Sequence, residues 1–249
     1  LFANSVEIPS ETTERLCHAA RAARAYVAVG INEREGGTIY NTILFIDREG
    51  RIVGRHRKLK PTAAEKMVWG EGDGSDLFVI DTDFGRLGGL ICGEHFMDLA
   101  RYTLYALGEQ VHVAIWPGIS SIPSHPRASV FNSFSEACAV HHAVSGGVFV
   151  INSYSVIGEE LIKRLELHDK PELMRPGGGR TAIFGPSGQI LSGPVEDKEA
   201  IVYADLDLGM AVAVKLVVDP VGHYARPDIF SLHVNRGRRG IVKWDAPAS

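Results

Sequence analysis

Gly85-Arg86-Leu87-Gly88-Gly89-Leu90-Ile91-Cys92-Gly93-Glu94-His95 is the stretch that decides the architecture. From Leu87 to Ile91 every position is apolar or glycine, the pattern of a strand covered on both faces. Such strands belong to layered α/β folds, where helices or a second sheet lie on either side. The strand closes on a cysteine and a glycine, and a helical stretch, Asp98–Glu109, follows shortly. A nucleophile at a sharp strand-to-helix turn projects from the sheet edge, where backbone amides can stabilise an anion. Gly93 permits a strained turn at that point. The local sequence fits equally a free cysteine that merely closes a buried strand.

Upstream, Tyr26–Glu33, Ile39–Asp47 and Arg51–Arg57 read as strands, separated by Gly36-Gly37 and Arg48-Glu49-Gly50. Turns this short make neighbouring strands antiparallel. Before them, Ser10 is placed to cap a helix in which Leu16, Ala19, Ala20 and Ala23 recur at helical spacing. Leu77–Asp81 reads as a further strand. Downstream come a strand over His112–Trp116, a helix over Ala128–Val144 and a strand over Val148–Ser153. Ser155–Gly179 reads as an irregular surface excursion. Thr181–Phe184 and Gln189–Leu191 flank Gly185-Pro186-Ser187-Gly188 as a hairpin, and Ile201–Asp207 reads as the last strand. Hairpins interrupt the alternation of strand and helix, so the expectation is a mixed sheet or paired sheets covered by helices. Without an obvious linker, residues 1–235 are expected to form one domain. Residues 236–249, with Arg236, Arg238, Arg239 and Lys243, are expected to be a solvated tail.

The chain of 249 residues is long enough to bury a sizeable core, and its net charge of −4 gives no reason to expect a nucleic acid or an anionic membrane as partner. No apolar run has the length of a transmembrane helix, and no signal peptide is visible. Cys17, Cys92 and Cys138 form neither a disulfide framework nor a paired metal motif, which points to reduced thiols in a cytoplasmic protein.

Lys58 is the second candidate for chemistry. Pro61 stops the preceding strand, so Lys58 falls near a strand end, where it could donate to a developing anion. Lys60 competes for that role, and a lysine flanking a strand is ordinarily solvated. Glu65, seven residues after Lys58, could hold the lysine charged. Glu94 and His95 follow the cysteine directly. Side chains this close along a turn diverge, which argues against a Cys92–His95 pair. The His141-His142 doublet and the loop Glu71–Asp76 lack metal-ligand spacing, so no metal is expected.

Taken together, several segments resemble the nitrilase family of the carbon–nitrogen hydrolase superfamily. They are His56-Arg57-Lys58-Leu59-Lys60-Pro61-Thr62, Trp69-Gly70 with Gly72-Asp73-Gly74-Ser75, and Gly85 to Cys92. Trp116-Pro117-Gly118, Gly177-Gly178-Gly179, Tyr203-Ala204-Asp205-Leu206-Asp207 and Gly222-His223-Tyr224-Ala225-Arg226-Pro227-Asp228 continue the set in family order. The resemblance implies an α/β fold, an α-β-β-α sandwich, with Cys92 as nucleophile, Lys58 as the lysine of a Glu-Lys-Cys triad and Glu65 as its supporting glutamate. It implies a small-molecule nitrile as substrate, no cofactor, and homo-oligomers, with dimers extending into spirals. Trp116, Gly93 and Glu94 are expected to border the substrate.

Two departures from the family pattern follow. The general-base glutamate of the family lies on a segment upstream of the part that matches Leu1. On that reading the domain lacks its first strand and helix, a sheet edge is bare, and activity is at most a trace. The family also usually has tryptophan after the cysteine, so Gly93 is expected to loosen the turn. The competing readings are an amidase-type enzyme, a catalytically impaired subunit, and a Cys–His hydrolase using His95 or His223.

Overall fold

The computed structural model describes residues 1–239. Helix α1 (Glu11–Ala23) starts at Ser10, whose hydroxyl accepts from the Thr13 N–H while the Thr13 hydroxyl accepts from the Ser10 N–H. It ends where Arg24 turns left-handed, at φ 51°. Strands β1 (Val27–Glu35), β2 (Thr38–Ile46) and β3 (Ile52–Arg57) form a three-stranded antiparallel sheet in chain order, as their short turns require. The two-residue period of β2 sorts its side chains. Leu44 and Ile46 pack with Ala20 of α1, whereas Ile43 and Phe45 face the other way, into the main core.

That core lies between the first sheet and a second sheet of six strands, in the order β4 (Ile80–Thr82), β5 (Gly85–Ile91), β6 (Val111–Trp116), β7 (Phe149–Tyr154), β8 (Arg180–Phe184) and β9 (Ile190–Glu196). β5, β6 and β7 run parallel in the middle, and the outer pairs are antiparallel. Helices α2 (Asp98–Ala106) and α3 (Phe131–Gly146) pack behind this sheet, with Ala139 and Ala143 of α3 completely buried. The layers are therefore helix, sheet, sheet, helix, as expected. The parallel strands are the buried ones, and β5 is covered from Leu87 to Ile91. Among the described residues no helix is long and apolar enough to cross a membrane.

Two expectations are corrected. Ile201–Asp207 forms no strand. It runs with the alternating burial of one, and Leu206 and Leu208 reach the main core, but no ladder partner stands beside it among the described residues. Alternation specifies two faces, and a strand also needs hydrogen-bonded neighbours. Helix α5 (Leu208–Lys215) follows, a nearly all-apolar stretch without a polar stripe to announce it. The irregular segment after Ser155 contains a short helix, α4 (Glu159–Arg164). The described part of the expected tail, residues 236–239, is exposed and makes contacts with the body of the fold. The Arg238 guanidinium donates to Glu35 and the Arg239 N–H to Asp73. Lys243 lies outside the described residues.

Candidate active site

Cys92 stands directly after β5, at φ 51°, a conformation unfavourable for any residue with a Cβ. The turn Cys92–Phe96 that it opens carries the chain to α2. The sulfur borders a cavity of about 1070 Å³ between the sheets, shared with Glu65, Asn41, Trp116 and Tyr154. Burial pushes the Cys92 thiol up to about 11, against the pull of the Lys58 ammonium. At neutral pH the sulfur is therefore protonated.

Lys58 follows β3 and is 1% exposed, unlike an ordinary flanking lysine. Its backbone is fixed on both sides, the N–H donating to Asn41 O at 2.8 Å and the C=O accepting from Gly72 N at 2.8 Å. Its ammonium donates to Glu65 Oε2 at 2.5 Å. That oxygen also accepts from the Thr62 N–H at 2.5 Å, and Asn41 reaches Oε1 at 3.4 Å. Lys60, the rival lysine, is exposed and pairs with Glu71.

Glu94 corrects an expectation. It does not border the cavity, because both of its oxygens are taken up inside the protein. Oε1 accepts from Leu59 N at 2.7 Å, and Oε2 from Ile91 N at 2.7 Å and His56 Nε2 at 2.9 Å. It thereby clamps the lysine-bearing segment to the end of the cysteine-bearing strand. His56 Nδ1 donates to Asp76 O at 2.7 Å, so both ring nitrogens carry protons. Burial alone would lower the His56 pKa, but Glu94 outweighs it and raises it. Gly93 is not loose either. A Cβ there would lie 2.7 Å from Thr62 Oγ1, so the turn is packed against the segment that holds Glu65. Trp116 is 1% exposed yet reaches the cavity, with its indole N–H donating to Asn152 Oδ1 at 2.7 Å.

Behind the turn lies a cluster that sequence reasoning missed. Glu109 is completely buried and accepts from His112 Nδ1 at 2.7 Å and His142 Nε2 at 2.8 Å. The cluster continues through His112 Nε2 to His95 Nε2 at 3.0 Å, and His95 Nδ1 donates to the Cys92 carbonyl at 2.8 Å. His142, the second histidine of the doublet, thus faces the core, and its Nδ1 has no partner among the described residues. The helical register of α3 alone would put one histidine of the doublet inside. Burial and the neighbouring His112 lower the His142 pKa to about 4. Glu109 is held at about 2, its two histidines overcoming its burial. The imidazole of His95 serves the cysteine's backbone and not its thiol, and His223 lies exposed, bonded to Val217 O. Neither arrangement is that of a Cys–His pair.

The carbon–nitrogen hydrolase family profile matches residues 1–216. The chain is 44% identical over 236 residues to an aliphatic nitrilase of Rhodococcus rhodochrous, covering 94% of this chain and 64% of that one. It is 38% identical over 248 residues to a nitrilase of Bacillus sp. (strain OxB-1), covering 98% of this chain and 71% of that one. Among solved structures, the carbon–nitrogen hydrolase of Helicobacter pylori G27 superposes with a TM-score of 0.74 at 20% identity, covering 88% of this chain and 74% of that one. The chain spans just under two thirds of the length of the aliphatic nitrilases it matches.

Proposed function

Because the chain belongs to the nitrilase family of carbon–nitrogen hydrolases, we propose that it hydrolyses a small-molecule nitrile to a carboxylic acid and ammonia through Cys92. The observation that carries this reading is the left-handed turn at Cys92, which holds a sulfur against a cavity that Glu65, the half-buried partner of the buried Lys58, also lines. The sulfur attacks the nitrile carbon, a C–S bond forms, one C–N π bond breaks, and the nitrogen takes a proton to give a thioimidate. The thiol proton leaves for a base as this happens. Lys58, oriented by Glu65, stabilises the negative charge that develops on nitrogen and later on oxygen. Water adds to the thioimidate carbon and ammonia departs, leaving a thioester. A second water releases the acid and restores the thiol.

Trp116 and Tyr154 supply the aromatic wall against which the substrate lies. The reading extends to a reduced, cytoplasmic setting, which suits three free cysteines, and to homo-oligomers, which light scattering would detect.

The test is product analysis on a series of aliphatic and aromatic nitriles with purified protein. Equal amounts of acid and ammonia are expected, with none from Cys92→Ala of unchanged thermal stability. Amide without ammonia would replace the proposal by a hydratase-like reaction, and no turnover of any nitrile or amide would overturn it.

A further inference from the structure

The cavity at Cys92 has the size that holds a whole drug-like molecule, and its surplus over a nitrile group lies in one direction. Val27, Val29 and Ile31 of β1 pack toward α1, so Tyr26, Ala28, Gly30 and Asn32 face the second sheet. The two middle positions carry the two smallest residues. β2, by contrast, presents the buried side chains of Ile43 and Phe45 to the same sheet. The inter-sheet space is therefore filled under β2 and left open under β1.

Polar and apolar lining separate along this space. Cys92 follows Ile91 at one end of β5, and Leu87 pairs with Val111 at the other. From Leu87 to Ile91 the strand rises roughly 13 Å, at about 3.3 Å per residue. The Cys92 end holds Glu65 and Asn41, with Asn32 opposite Asn41 in the first sheet. The Leu87 end is an apolar arm. It is walled by Val111, by Leu208 beside Gly85, and by an edge-to-face pair of Tyr26 and Phe84 with centroids 5.3 Å apart. Among the described residues that border the cavity, Glu65 is the only one charged at neutral pH. Arg48, which lies over the Tyr26 ring, is paired with Asp83. A polar group placed in the arm would lose its hydration without a partner. A single ring beside the sulfur would leave the Leu87 end unfilled, whereas an alkyl chain covers both. The arm is continuous with the space at the sulfur, so its occupant is joined to the group that Cys92 attacks.

We propose that the arm takes the hydrocarbon tail of the substrate, so that the nitrile hydrolysed at Cys92 is carried on a long alkyl chain, with Ala28 and Gly30 setting how far the tail reaches. This rests on Cys92 as the site of nitrile attack. β1 and β6 meet at Gly30, where an added Cβ would touch Ile115 Cγ2 at 3.5 Å. A longer side chain at Gly30 has to extend into the arm.

The test compares kcat/KM for ammonia release from butanenitrile and decanenitrile by the full chain. Each methylene moved from water into an apolar site contributes about 0.8 kcal/mol, which is about fourfold. The ratio is expected to favour decanenitrile by more than about a hundredfold, and to fall by at least about tenfold in Gly30→Leu, whose side chain occupies the arm. Ala28→Phe, on the same face of β1, should lower the ratio too, so the test survives if one variant fails to fold. A wild-type ratio near one, or an unchanged ratio in a folded variant, would overturn the proposal. Calorimetric titration of Cys92→Ala protein with octanamide separates the arm from the reaction. Stoichiometric binding, weakened by adding Gly30→Leu, is expected. That result without turnover of any nitrile would keep the arm and remove the nitrile reading. Turnover of butanenitrile without octanamide binding would keep the reaction and remove the arm.

Discussion

Two buried carboxylates flank the Cys92 turn, and they treat their histidines differently. On one side Glu94 gives His56 an acceptor while Asp76 O gives it another, so both nitrogens of that imidazole donate. On the other side Glu109 divides its oxygens between His112 and His142, and His142 Nδ1 finds no partner among the described residues. Both carboxylates are equally buried. The contrast teaches that the number of acceptors around a buried histidine, more than its burial, decides whether it keeps its charge.

The difference extends to what each side holds. The Glu94 side carries the lysine that faces the chemistry, and the Glu109 side carries only backbone and histidines. Activity should accordingly be most sensitive on the first side. Lys58→Met is expected to lower kcat by about 10²–10³-fold, the cost of one donor to a developing anion, with Lys60→Ala close to wild type. Equal losses in the two variants, measured as initial rates of ammonia release, would erase the distinction between the lysines.

Removing the clamp itself should damage the fold. Glu94→Ala leaves Leu59 N, Ile91 N and protonated His56 without their acceptor, and breaking a buried pair of this kind costs about 3–5 kcal/mol. Urea unfolding would measure it. A loss below about 1 kcal/mol would mean that water replaces the carboxylate readily.

The two sides should also fail at opposite ends of the pH scale. His56 has a raised pKa, so its contribution is complete below the unfolded value of 6.5 and is lost as pH rises through the folded one. Glu109, at about 2 when folded against 4.5 unfolded, contributes above 4.5 and loses that contribution as pH falls through about 2. His142 acts in the same direction as Glu109, since the unfolded chain takes up its proton first, between 6.5 and about 4. Thermal midpoints measured across pH should therefore decline at both ends. His142→Asn should flatten the acid limb between pH 6.5 and 4 and leave the alkaline limb alone. Flattening of both limbs would show the two clusters to be coupled through the Cys92 turn.

A smaller effect tests the seam between the lysine segment and the turn. Gly93→Ala should destabilise by about 1–3 kcal/mol through its contact with Thr62 Oγ1, and adding Thr62→Ala should return most of it. Simple additivity of the two changes would place the strain elsewhere.

Much of this arrangement is legible in the sequence, for physical reasons that also mark where legibility stops. β5 is readable because burial on both faces leaves a continuous apolar run, and the Cys92 turn is readable from the cysteine and glycine that end it. Lys58 gains meaning only beside its neighbours, since nothing local distinguishes a buried lysine from a solvated one. Glu109 and His142 are 33 positions apart, on either side of β6, and only the packing of α3 behind the second sheet brings them together. Glu94 was expected at the substrate because it adjoins the nucleophile, but adjacency along a tight turn sends successive side chains in different directions. Ile201–Asp207 fails as a strand for a related reason, since its pattern encodes faces and not partners.

The left-handed turn has one more consequence, for the lifetime of the protein in an oxidising medium. A sulfur kept protonated until about pH 11 offers little thiolate to peroxide. Conversion to sulfenic acid should then be slow in the resting protein, and the substrate-free form should outlast an exposed cysteine during aerobic storage. The burial that makes the sulfur a reluctant nucleophile is thus also what preserves it between turnovers.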